Sequence, residues 1–150
     1  MPPTAAVINL PSLTSLAAHP WAYPVLEVVH IVGIALLLGN LVLFELRVFG
    51  LGKTLPMPAL ARLALPLSLL GFGLAALSGL TMFATQPNEL LANRFFVIKM
   101  AVLMLAGVNA AMFHARGGIH RVDAMARAQS ALSLSLWIGV IICGRFIAYR

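Results

Sequence analysis

Four apolar stretches, at about 23–46, 60–84, 95–114 and 128–148, dictate what this chain can fold into. Each is near the roughly 20 residues that a helix needs to cross a hydrocarbon core. With no water at that depth, each backbone amide must be satisfied inside its own segment, and a helix does this. The connections between the stretches are short, so successive helices run antiparallel. The predicted fold is all-α, an integral membrane up-down four-helix bundle, with a single four-span domain over 23–150. Residues 1–22 precede it as an extracytoplasmic lead-in, with prolines at 2, 3, 11 and 20 and no charged side chain. Pro24 suits the first turn of the first span. The runs QPNE at 86–89 and RGG at 116–118 are turn signals that close the second and third.

Composition agrees with a bilayer as solvent. The chain is 61% hydrophobic and 9% charged, where a soluble domain carries roughly 25% charged residues. Its net charge of +6 comes from basic residues scattered singly between apolar stretches. There is no basic run and no aromatic-basic interleaving, which excludes nucleic acid as a partner. The lone Cys143 excludes an internal disulfide, a CxxC metal site and a CxxCH haem attachment. The first basic residue is Arg47, so the n-region of a secretory signal is missing and the first stretch is expected to stay in the mature protein. No nucleophile elbow, P-loop or extramembrane carboxylate pair is present, and no catalytic residue is assigned.

Orientation follows from the positive-inside bias. The first loop region carries Arg47, Lys53 and Arg62, and the third carries Arg116, Arg121 and Arg127; the second offers Arg94. Loops one and three are therefore expected to face the cytoplasm, with both termini outside a bacterial cytoplasmic (inner) membrane. Trp21, Tyr23 and Tyr149 fit an aromatic belt on the outer side.

Small and weakly polar residues mark the expected inward stripes: Ser68, Phe72, Ala75, Gly79 and Met82 in the second span, and Ser130, Ser133, Trp137, Ile141, Gly144 and Ala148 in the fourth. Such stripes let membrane helices approach closely, or clear room for a flat cofactor; turned to lipid, they would suit a homo-oligomer. The first span carries Glu27, His30, Asn40 and Glu45, and the third Lys99, Asn109 and His114. Each set falls on an arc of about 140° at 3.6 residues per turn. Asn40 follows His30 by ten residues and Glu45 by fifteen; Asn109 and His114 follow Lys99 by the same intervals. If His30 and Lys99 share a level, Asn40 meets Asn109 and Glu45 meets His114. Arg145 joins the His30/Lys99 layer, and Glu27 lies about one turn further out.

Ionisable groups within the membrane cost about 2.5–3.5 kcal/mol each on insertion scales and usually pair or line a functional path. Glu27 paired with Lys99 or Arg145 is one outcome; a pocket is the other. Three chemistries suit that pocket. A b-type haem would take His30 as axial ligand, with Lys99 and Arg145 toward the propionates, Trp137 against the macrocycle, and Ser68 or Gly79 leaving room. Met82, Met100 or Lys99 are the candidates for the opposite axial position. Copper would use His30 with Met82 and Met100, since thioether and imidazole suit Cu(I). The third option is a cofactor-free packing subunit, or a proton path running from His30 to His114.

The stretches YPVLEVVHIVGIALLLGNLVLFELRVFGLG (23–52), NRFFVIKMAVLMLAGVNAAMFH (93–114) and SLSLWIGVIICGRFIAY (133–149) resemble a family of short bacterial four-span membrane proteins. Its pattern is E-x2-H in the first span, K-x9-N in the third and W…GR-x-I-A-Y in the fourth. That family is distantly similar to CopD-like and cytochrome b-type membrane domains, and more loosely to HemJ-type proteins. The resemblance implies a haem- or copper-associated membrane protein; the function expected here is a b-type haem near the outer face, bound through His30, that exchanges electrons with a redox partner protein or quinone. It places function on His30, Lys99 and Arg145, with Glu27, Asn109 and His114 behind them.

Overall fold

The computed structural model describes residues 11–149; the first ten residues of the expected lead-in lie outside them. Six helices follow one another among the described residues: α1 (Pro11–Ala18), α2 (Ala22–Val48), α3 (Met57–Thr85), α4 (Pro87–Ala92), α5 (Arg94–Ala115) and α6 (Ala124–Ile147). Four of them, α2, α3, α5 and α6, are long and apolar enough to cross a membrane. At 1.5 Å per residue, their 22 to 29 residues span about 33–44 Å, more than the roughly 30 Å of hydrocarbon. The protein is an all-α, multi-pass membrane bundle. Its outward surface is correspondingly apolar: Leu69, Leu77, Leu80 and Met104 are each 65–71% exposed.

Local chemistry sets the helix ends. Pro24 sits in the first turn of α2, and Pro58 in that of α3, where a missing N–H costs nothing. The QPNE run does more than turn, because Pro87 opens the short helix α4. Asn93 caps α5 by accepting from the Phe95 amide at 3.0 Å, and Asp123 caps α6 by accepting from the Ala126 amide at 2.9 Å. Just beyond α5, Gly117 takes φ +68°, a conformation that stops a helix and that glycine adopts without strain.

The bundle is assembled from two antiparallel pairs. In α2/α3 the backbones almost touch: a Cβ at Gly33 would lie 2.6 Å from the Ala75 nitrogen and 2.7 Å from the Gly71 oxygen. The buried stripe of α3 is Met57, Ala61, Ala64, Ser68, Gly71, Ala75 and Ser78. Ser68 and Ala75 of the expected stripe belong to it. Phe72 does not: it is 44% exposed and turned to the side, because a bulky ring on this seam would hold the two backbones apart. In α6 the buried residues are Ala126, Gln129, Ser130 and Val140, while Ile141 and Ala148 face outward. The α5/α6 pair meets the first along α2 and α6 and through aromatic contacts across the seam. Phe44 meets Phe113 (ring centroids 5.9 Å), Phe72 meets Trp137 (6.5 Å) and Phe83 stacks on Phe96 (5.5 Å). The buried apolar cluster, Phe44, Val48, Met57, Ala61, Ala64, Phe113 and Ala126, lies at the end of the bundle that carries the 49–56 and 116–123 loops, called the basic end below.

At that end Arg116 donates to Gln129 Oε1 (3.0 Å) and pairs with Asp123 (3.0 Å). The Ala126 amide, and after it the Arg116 guanidinium, hold the Asp123 carboxyl below its ordinary value of 3.8. The cap and the ion pair therefore stabilise α6 above the unfolded-state value and are lost as pH falls through the folded one. Thermal melts in detergent should show wild type losing stability in acid. Asp123→Ala should melt lower at neutral pH and close to wild type in strong acid; equal melts at neutral pH would remove this cap from the account.

Candidate functional site

The first polar centre begins with His30, whose ring points from α2 into α3. Its Nδ1 is 2.8 Å from the Ala75 carbonyl oxygen and 3.1 Å from Ser78 Oγ. A carbonyl only accepts, so Nδ1 carries the hydrogen, and in the neutral ring Nε2 holds the lone pair. No partner for Nε2 is present among the described residues. Ser78 is itself fixed, donating to Leu74 O at 2.7 Å. Gly79 lets the ring lie flat on α3, since a Cβ there would be 3.2 Å from His30 Cε1. The room at Gly79 is thus taken by the imidazole and not left for a cofactor.

Lys99 of α5 comes within electrostatic reach of the His30 ring. Its stem passes over α6, with Nζ 3.4 Å from where a Cβ on Gly144 would stand, and Cys143 is close by. His30, Gly79, Lys99 and Gly144 thus draw one side chain or gap from each spanning helix. Trp137 is half-buried and meets Phe72 edge to face (77°).

Other expected members stand apart. Arg145 is exposed and turns along its own helix, donating to Tyr149 Oη at 2.6 Å with its guanidinium 4.9 Å from that ring. Glu27 is exposed, beside Tyr23. The ion pair formed among the described residues is Arg116–Asp123, so neither Glu27–Lys99 nor Glu27–Arg145 holds the bundle in register. Met82 is half-buried on α3, whereas Met100 is 38% exposed and Met104 71%.

A second polar centre occupies the basic half. Asn109, buried on α5, donates to the Gln129 carbonyl of α6 at 2.9 Å. Asn40 donates to Leu36 O one turn back, at 2.8 Å, so the expected Asn40–Asn109 pair does not form. Glu45 and His114 do come together, lining one cavity of about 40 Å³ with Asn109, Gln129, Ser130 and Ser133. Gln129 and Ser78 escaped the sequence reading. Gln129 is the only amide side chain in the fourth span and was visible on that ground; Ser78 gave no signal beyond its size.

Comparison of the chain with protein-family models, curated proteins and solved structures gives no match. The donor set can still be tested against the candidate cofactors. The described residues hold no group of three or more His, Cys, Asp or Glu able to bind a metal ion. A bare ion needs its ligands from side chains, whereas a haem brings its own ring of nitrogen donors and asks the protein for axial ligands alone. An imidazole whose Nδ1–H is held by a backbone carbonyl is the arrangement that fixes and orients a ligating Nε2. By this chemistry His30 Nε2 is the kind of nitrogen donor that a haem iron would accept.

Proposed function

We propose that this membrane protein binds one b-type haem through His30 Nε2, near the outer face of a bacterial cytoplasmic membrane. It would pass electrons between the quinone pool or a partner protein and an extracytoplasmic acceptor. The observation that carries the reading is the His30 imidazole, held at Nδ1 by the Ala75 carbonyl with Nε2 unused and the Lys99 cation in reach. The haem, when bound, supplies one-electron chemistry. The Ala75 carbonyl and Gly79 hold the ring plane, and Lys99 is the nearest cation for a propionate. Positive charge there favours the electron-rich form and raises the reduction potential. The basic loops at the far end support the proposed orientation, with His30 toward the outside.

The test is an absorption spectrum of the protein purified in mild detergent, oxidised and then dithionite-reduced, with metal analysis of the same sample. The expected result is a Soret band that shifts on reduction, with iron in near-equal amount to the chain. A colourless preparation from haem-replete cells refutes the assignment, and copper in that sample would transfer the site to copper handling.

A further inference from the structure

Glu45 is a buried carboxyl near the basic end of the bundle. It lies three residues from the end of α2, 3% exposed, among Phe44, Leu41, Leu65 and Phe113. The Ser133 hydroxyl serves the carboxyl, yet Oε2 is fully buried with no hydrogen-bond partner among the described residues. A buried polar atom left unpaired is costly, and more so if charged, so an orphan of this kind calls for a partner that the side chains do not provide. Beside it is the cavity of about 40 Å³. A water needs roughly 10–15 Å³ and two to four polar partners, and the cavity offers Glu45, Asn109, Gln129, Ser130, Ser133 and His114. His114 is exposed near the end of α5 and joins this interior to the basic end.

We propose that Glu45 is a proton-exchange site, taking up and releasing a proton through water in the adjoining cavity with His114 as the relay to the basic end of the bundle. The step moves a proton alone. Protonated His114 gives its proton to a cavity water, that water passes one to Oε2, and an oxygen lone pair forms the new O–H bond; release reverses these transfers. Nothing is oxidised or reduced, and no haem is needed. The titratable group facing Glu45 is His114, from α5. From α6 come the neutral Gln129, Ser130 and Ser133, and from α3 only Leu65. Arg116 is one residue removed, held on Gln129 and Asp123. Membrane carboxyls in such settings mark proton relays.

Infrared difference spectra of the full chain in lipid bilayers, recorded across a pH step in H2O and D2O, test this. The expected result is a carboxylic-acid carbonyl band that appears on acidification, shifts in D2O and is absent in Glu45→Gln. His114→Ala should keep the band but slow its response to the step. In wild type, which needs no variant to fold, dicyclohexylcarbodiimide should label Glu45 by mass spectrometry, and less so in alkali. No acid band assignable to Glu45 at any pH overturns the proposal. So does a band that neither titrates nor exchanges, which would mark a sealed structural acid, and so does an absence of label at every pH.

Discussion

Alanine at Gly71 is expected to loosen the α2/α3 pair and lower the melting temperature, while alanine at Gly73, two residues away, leaves it unchanged or raises it. At Gly71 a Cβ would stand 2.5 Å from the Leu37 nitrogen and 2.6 Å from the Gly33 oxygen. Both are backbone atoms and neither can rotate away, so the helices must separate. Overpacking of this kind costs about 1–3 kcal/mol, against a gain of about 0.8–1.0 kcal/mol in helix propensity when glycine becomes alanine. Close backbone contact is also the main source of helix association in lipid, so the loss should win. At Gly73 and Gly39 nothing lies within 4 Å of the added carbon, and only the propensity gain remains. Gly33→Ala should match Gly71→Ala and go further. Its Cβ strikes Ala75, whose carbonyl holds His30, so it should disturb the His30 site as well. Melting curves in one detergent rank the four variants, and Gly73→Ala falling as far as Gly71→Ala would sink the close-approach account.

The spans were legible because length and apolarity alone specify a crossing helix; Ala22–Val48 and Met57–Thr85 differ from 23–46 and 60–84 only at their ends. The inward faces were less legible. In lipid both sides of a helix are apolar, so hydrophobic periodicity does not say which side faces in, and small residues must serve instead. That signal is coarse: it found Ser68, Ala75 and Gly79, which lies against His30, but put Phe72 on the line and missed Gly71 and Ser78. Depth was the easier coordinate. Equal intervals brought Lys99 within reach of His30, and Glu45 to the same cavity as His114. Azimuth was the harder one, as Asn40 and Asn109 show. Several polar groups here find their partner on their own helix or on the close neighbour in its pair, whereas Glu45 reaches across to Ser133 of α6. Asn40 chose Leu36, Asn109 chose Gln129, and His30 chose Ala75. Arg145 likewise chose Tyr149. The role of His30 was not legible in pattern alone, because one imidazole serves a core hydrogen bond and a metal equally well. The hydrogen bond to a carbonyl, which commits Nδ1 and frees Nε2, is visible only in three dimensions.

If His30 ligates a haem as proposed, His30→Ala is expected to purify as a folded, colourless protein, while Lys99→Gln and Gly79→Ala should retain haem with altered properties. Removing the imidazole would take away the proposed iron ligand and leave the backbone packing of α2 on α3 intact, since that packing rests on Gly33 and Gly71. Added imidazole should then restore the Soret band in the space vacated by the side chain, a rescue that a purely structural histidine would not show. Lys99→Gln keeps a polar side chain of similar reach without its charge. The reduced form loses a favourable neighbour, so the midpoint potential should fall while haem content holds. Gly79→Ala puts a carbon 3.2 Å from His30 Cε1 and 3.5 Å from Nδ1. The ring must shift by a few tenths of an ångström against the Ala75 carbonyl, so the spectrum and potential should move without loss of haem. These readouts separate the ligand from its surroundings. Ligation by His30 predicts loss in one variant and graded shifts in the other two, whereas an unchanged Soret band in His30→Ala would place the iron on another residue and leave His30 as the hydrogen bond that ties α2 to α3.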